Sequence, residues 1–99
     1  FGPAATTDGA WLVPVQQPDE LVRVDATTFT VTKTRVFTKE ECLRPHQVAR
    51  RAGRFFLVCE GDHVGSSKVL EIDPVALEPV RTFAVGAYPD VIAFPAGLP

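Results

Sequence analysis

Two stretches of the chain, 21–37 and 69–85, carry one pattern twice, and this limits the fold more than any other feature. They read LVRVDATTFTVTKTRVF and VLEIDPVALEPVRTFAV. The positions that match include Val24 and Ile72, Asp25 and Asp73, and Phe29 and Leu77. The two aspartates are 73 − 25 = 48 residues apart. A period of this size indicates a supersecondary unit that packs against its next copy.

Two further segments accompany each copy. A proline-led apolar segment follows it, RPHQVA (44–49) in one case and YPDVIAF (88–94) in the other. A segment after a glycine turn, DGAWLV (8–13) or AGRFFLV (52–58), precedes the strand that ends in Asp. The matched glycines are 53 − 9 = 44 residues apart. The unit therefore predicts four strands, and residues 1–99 form a single domain of about two units.

Residues 1–99 do not begin and end at the boundary of a unit, so one unit takes its strands from both ends of the sequence. We predict one unit over about 9–37, with its inner strand supplied by about 90–94, and the other over about 45–85. No segment predicts a helix, because the helix-like start at Thr38 is ended within two turns by Pro45. Short apolar strands between Gly, Pro and Asp clusters predict an all-β sandwich, barrel or propeller.

Side-chain alternation predicts the faces of individual strands. In ELVRVD (20–25), Leu21 and Arg23 fall on one face and the two valines on the other. The same rule applied to 28–37 places its residues 29, 31, 33 and 35 on one face. The run RFFLVCE (54–60) is continuously apolar, which is typical of a strand buried on both sides.

The unit resembles a β-propeller blade of the YVTN type, with NHL-type repeats as the nearest relatives. The second copy carries the resemblance over 69–94, in its "V-x-x-I-D-P" strand and its "V-G-x-x-P" loop. The first copy, 21–37, matches more loosely: Ala26 replaces the proline, and TKEEC (38–42) replaces the tight loop. The resemblance implies two four-stranded antiparallel blades that belong to a larger β-propeller.

A propeller closes with about four to eight blades, and two alone leave apolar faces and strand edges uncovered. We therefore expect the partners to be other copies of this chain, joined head to tail, or further blades of a longer chain. The net charge of −2 gives no reason to expect nucleic acid. The longest apolar run, 55–59, is too short for a membrane span.

Both cysteines and both histidines lie in two similar segments, CLRPH (42–46) and CEGDH (59–63). On the blade, an inserted loop carries Cys42 and the end of a buried strand carries Cys59, so both lie near one rim. This arrangement favours a loop-tethering disulfide, Cys42–Cys59. A Cys₂His₂ zinc site of Cys42, His46, Cys59 and His63 and a pair of reduced thiols are the alternatives. The disulfide interpretation goes with a periplasmic or extracellular location.

The resemblance also implies a ligand site at the mouth of the propeller channel. Arg44 and His46 flank one proline, and Tyr88 and Asp90 flank the equivalent proline of the other unit. Asp25 and Asp73 end strands and are interpreted as turn residues. No motif predicts a catalytic residue or a cofactor. Trp11 opens an apolar strand, which predicts a core position.

We therefore expect a non-catalytic β-propeller module for binding or scaffolding, with ligand or protein contacts at the rim. One alternative is a fragment of a propeller enzyme, lactonase-like or dehydrogenase-associated. The other is a lectin-like multivalent ring, for which Trp11 and Tyr88 would have to be exposed. Repeats of this form serve several functions, so the fold alone does not decide among these.

Overall fold

The structure, a computed structural model, describes residues 2–62 and 67–85. These residues form eight β-strands and no helix. In chain order the strands are β1 (Ala4–Ala5), β2 (Ala10–Val15), β3 (Glu20–Asp25), β4 (Val31–Val36), β5 (Pro45–Arg51), β6 (Arg54–Cys59), β7 (Ser67–Ile72) and β8 (Pro79–Val85). The described part of the chain thus offers no helix that could cross a membrane.

The strands form two four-stranded antiparallel sheets, each in chain order. Sheet one is β1-β2-β3-β4 and sheet two is β5-β6-β7-β8. The predicted all-β class with two four-stranded antiparallel sheets is confirmed. In sheet one, β2 is flanked by β1, where Ala4 pairs with Leu12 and Ala5 with Trp11. The segment 90–94, which we expected at this inner position, lies outside the described residues.

The core lies between the two sheets, because each turns one apolar face toward the other. Its buried members are Leu12, Leu21, Phe37, Cys42, Val48, Phe55, Leu57, Cys59, Leu70, Ile72 and Leu77. Residues 55–59 of β6 are all buried, which confirms a strand covered on both sides. Fully burying an aliphatic or aromatic side chain contributes about 1.5–3 kcal/mol, so this layer is the main apolar contribution to stability.

The turns after β3 and β7 have the same construction. The Asp25 carboxylate Oδ1 accepts hydrogen bonds from the N–H groups of Thr27 and Thr28, at 2.8 and 2.9 Å. Asp73 accepts the equivalent two bonds, both at 2.8 Å. These backbone N–H groups stabilise the ionised carboxylates and lower the pKa of both aspartates below the ordinary 3.8. The interpretation of both as turn residues is confirmed.

The same turns hold Phe29 and Leu77 in matching conformations. Both have left-handed backbones, with φ of 58° and 60°. Each donates its N–H to the carbonyl of the aspartate four residues before, at 2.8 and 2.9 Å. Their surroundings differ, since Leu77 is 0% exposed and Phe29 is 78% exposed.

Strand β4 departs from the predicted alternation. A register shift between Arg23 and Val24 of β3 pairs Val24 with Val31 but Arg23 with Lys33. Directly paired residues share a face, so Val31 and Lys33 lie on opposite faces although they are two positions apart. The predicted common face for Phe29, Val31, Lys33 and Arg35 is wrong, because Phe29 lies in the turn and the bulge inverts the order after Val31.

The loop between β4 and β5 begins with a reciprocal turn, as its sequence predicted. The Thr38 N–H donates to Glu41 Oε1 at 3.0 Å, and the Glu41 N–H donates to Thr38 Oγ1 at 3.2 Å. This is the bonding pattern of a helix start. The backbone then passes into β5 at Pro45, so the segment remains a turn.

Candidate functional site at the rim between the sheets

A disulfide joins Cys42 to Cys59, as the sequence favoured. The sulfur atoms are 2.11 Å apart and the Cα atoms 5.3 Å apart. It ties the loop between the sheets to the end of β6. Because both sulfurs are in this bond, neither is a thiolate ligand for the alternative zinc site with His46 and His63. His63 lies outside the described residues, and the described ones contain no group of three or more His, Cys, Asp or Glu that could hold a metal.

Backbone bonds fix the loop that carries Arg44. Glu60 donates its N–H to the Arg44 carbonyl at 3.0 Å, and Gly61 donates to the Leu43 carbonyl at 3.0 Å. Arg44 itself has a left-handed backbone, with φ of 57°. Pro45, directly after it, is buried and begins β5. These contacts hold Arg44 at the rim, where its side chain is exposed.

His46 is the extra residue of a β-bulge. In the β5–β6 ladder Pro45 pairs with Cys59 and Gln47 with Val58, so the register shifts by one residue at His46. Bulges of this kind redirect a side chain, and they occur often beside functional sites. His46 Nδ1 lies 3.4 Å from the Glu60 carboxylate Oε1.

Gln16, in the turn after β2, extends this group to sheet one. Its Nε2 donates to Glu60 Oε1 at 3.0 Å and to the Pro45 carbonyl at 3.2 Å. Glu60 is only 13% exposed, so these contacts are shielded from bulk water. The bulged histidine of sheet two is thereby held in a polar network that joins both sheets.

A cavity of about 220 Å³ opens beside this network. Its walls are Gln16, Gln17, Pro18, Asp19, Leu43 and Arg44. A second cavity, of about 210 Å³, lies on the other side of Leu43 next to the disulfide. Among the described residues Arg44 forms no ion pair, whereas Arg23, Arg35 and Arg54 each bind a carboxylate. The guanidinium of Arg44 is therefore an open donor in the wall of the first cavity.

The structure thus brings two of the four predicted ligand residues to one rim. Arg44 lines the cavity, and His46 contacts it through Glu60 and Gln16. Tyr88 and Asp90 lie outside the described residues. The sequence reasoning missed Gln16 and Glu60. A signal existed, because the repeat matches Val15 with Cys59 and hence the next positions, 16 and 60.

Chemically the rim offers donors and acceptors at short range. In the cavity wall Arg44 can donate, while Asp19 and the side-chain oxygen of Gln16 can accept. This set suits a polar ligand that carries both charges, such as a short peptide with free amino and carboxyl ends.

Trp11 does not have the predicted core position. It is 41% exposed, because it faces away from sheet two while its neighbour Leu12 is fully buried. Its position is the broad face of sheet one, and it is absent from the walls of both rim cavities.

Comparison with known proteins identifies no relative: the chain matches no protein family, no curated protein and no solved structure.

Proposed function

We propose that the chain is a non-catalytic binding or scaffold module of the β-propeller type, with a peptide ligand at the rim between its two sheets. The observation that carries this proposal is the cavity beside Arg44, next to the Gln16–Glu60–His46 network. Both sheets contribute to the site, so it exists only where two successive units meet. Ligand sites occur preferentially at such junctions.

The matching construction of the sheets supports the propeller part. In both sheets the four strands are hydrogen-bonded in chain order. Both have the Asp turn, and both have a register shift before the residue that precedes the aspartate. A unit repeated in this way is the building block of a stacked or radial β-assembly. Its partners would be other copies of the chain or further blades.

The use of the acidic side chains supports a non-catalytic module. Shifted pKa values cluster at catalytic sites in many enzymes. Here the described carboxylates with lowered pKa values serve turns or ion pairs. Backbone N–H groups lower the pKa of Asp25, Asp73 and Glu41, and the Arg54 guanidinium lowers that of Glu71. The disulfide supports export to an oxidising compartment.

The test is selection from a phage-displayed library of random heptapeptides on the immobilised wild-type protein. We expect enriched peptides, and their synthetic forms should lose about tenfold or more in affinity for the double variant Arg44→Ala/His46→Ala. The control is Arg50→Ala, which removes an exposed arginine from the other end of β5. Isothermal titration measures the affinities. No enrichment, or equal affinity for wild type and the double variant, would reject the proposal.

A further inference from the structure

Sheet one has an apolar face that nothing in the described chain covers. Trp11 of β2 lies opposite Val24 of β3, and Val13 lies opposite Val22, so all four share a face. Leu12 points the other way, into the core. Val31 of β4 pairs with Val24 and extends the same face. We call Trp11, Val13, Val22, Val24, Val31 and the adjacent Phe29 the outer face of sheet one.

Three of the six side chains of this face are highly exposed for apolar residues, while Val13, Val22 and Val24 are partly exposed. Trp11 is 41% exposed, Val31 59% and Phe29 78%. Both arginines of these strands lie on the covered side instead, although Glu20 lies on the outer side, where it pairs with Val15 and Val36. Arg23 donates to the Pro74 carbonyl of sheet two at 2.7 Å, and Arg35 binds Glu78 at 2.7 Å. A sheet with one face in water normally places its polar residues outward. This inversion indicates that the outer face is built to be covered.

The matching face of sheet two is covered within the chain, by sheet one. The residues that match the outer face are Phe55, Leu57, Leu70, Ile72 and Leu77, in the order of Trp11, Val13, Val22, Val24 and Phe29. All five are 0–3% exposed, because they pack against sheet one. The surface they meet carries Leu12, Leu21 and Phe37.

Sheet two carries a surface that matches this Leu12–Leu21–Phe37 surface, on its side that faces away from sheet one. The matches of Leu12, Leu21 and Phe37 are Phe56, Val69 and Val85, and the match of Arg35 is Phe83. Phe56 and Val69 are already 9% and 6% exposed within the chain. Phe83 is 43% exposed and Val85 is partly exposed, so these two can gain contacts from a second copy.

We propose that the outer face of sheet one binds a second copy of this chain, head to tail, through the Phe83 side of that copy's sheet two. Within one chain Arg35 binds Glu78, the neighbour of Leu77. At the matching place between copies, Phe83 meets Phe29, so an aromatic contact replaces an ion pair. Exposed aromatic side chains at the centre of a contact are the residues that contribute most to binding.

This inference rests on the assembly part of the proposed function, but it can be tested separately. Trp11 is the single tryptophan of the chain and lies in the outer face, so its fluorescence reports coverage directly. We expect wild type to sediment as larger species with rising concentration, while Trp11 emission shifts to shorter wavelength. Val24→Lys and Phe83→Lys should each prevent self-association, raising the dissociation constant about tenfold or more.

The decisive measurement mixes these two variants. Each keeps one intact surface, so an equimolar mixture should form a one-to-one heterodimer that neither variant forms alone. The control is Val75→Lys, an equally apolar position that is 63% exposed in the turn after β7. Val75 belongs to neither of the two proposed contact surfaces, so Val75→Lys should associate like wild type. Circular dichroism confirms that each variant is folded.

Three results would overturn the inference. One is a wild-type protein that stays monomeric with constant Trp11 emission. Another is normal self-association of Phe83→Lys, which would mean that two outer faces pair with each other. The third is a mixture that stays monomeric. Failure of the rim proposal would give a different result. Wild type would still self-associate as expected, but the monomeric variant Val24→Lys, whose rim is intact, would bind no selected peptide.

Discussion

The two sheets share their strand order, their aspartate turns and a register shift before each turn, and they differ in what covers them. Their turns after β3 and β7 have the same bonds and the same left-handed residue. Sheet two nevertheless buries Leu77 and carries the disulfide, whereas sheet one exposes Phe29 and has Val15 where sheet two has Cys59. The local sequence therefore determines the backbone conformation of each turn. The neighbouring sheet determines how much each side chain contributes to the free energy of unfolding.

The largest expected difference between the sheets is at Leu77 and Phe29. Leu77→Ala removes a fully buried side chain and leaves a cavity, so the free energy of unfolding should fall by about 2–5 kcal/mol. Phe29→Ala removes an exposed ring, so the change should stay within about 0.5 kcal/mol. Urea denaturation at a protein concentration that keeps the chain monomeric measures both. Equal losses for the two variants would show that sheet one is covered within the monomer.

The disulfide tests a difference that is confined to sheet two. Reducing a bridge with a sequence separation of 17 residues should lower the free energy of unfolding by about 3 kcal/mol, because the unfolded chain regains entropy. Urea denaturation with and without reductant measures the loss. The double variant Cys42→Ala/Cys59→Ala should be insensitive to reductant. A wild-type midpoint that reductant leaves unchanged would contradict a stabilising role for the tether.

The smallest effect concerns a feature that the sheets share. The lowered pKa values of Asp25 and Asp73 mean that the unfolded chain takes up protons first as pH falls. Their stabilising contribution is complete above the unfolded pKa of 3.8 and is lost as pH falls through the folded-state values. Asp25→Asn and Asp73→Asn should each reduce the fall of the urea unfolding midpoint between neutral and acid pH, and by similar amounts. A change at one position alone would show that the turns are not equivalent.

Much of the fold could be predicted because its signals are local. Alternation and turn residues located strands β2 to β8, and the Asp turns followed from residue type. The disulfide followed from placing Cys42 and Cys59 on the repeated unit. Strand β1 was not predicted, because two alanines carry no strand signal of their own, and the inner strand of this unit was instead predicted at about 90–94.

The rim site was only partly predictable. Arg44 and His46 stood out because they flank Pro45, which the predicted repeat matches with Pro89. Gln16 and Glu60 were missed, since a turn glutamine and a glutamate after a strand are ordinary surface residues in a sequence. Their role depends on a contact between residues 44 positions apart (60 − 16), which only the packing of the sheets creates.

The sequence by itself predicted the all-β class and the turn aspartates, and it favoured the Cys42–Cys59 disulfide over the two alternatives. Each depends on spacing within one strand or turn, or on matching one segment to another. Only the tertiary structure decided the faces of β4, the exposure of Trp11 and the network around His46. A bulge inverts side-chain direction and a neighbouring sheet removes water, and neither event is visible in the spacing of residues along one strand.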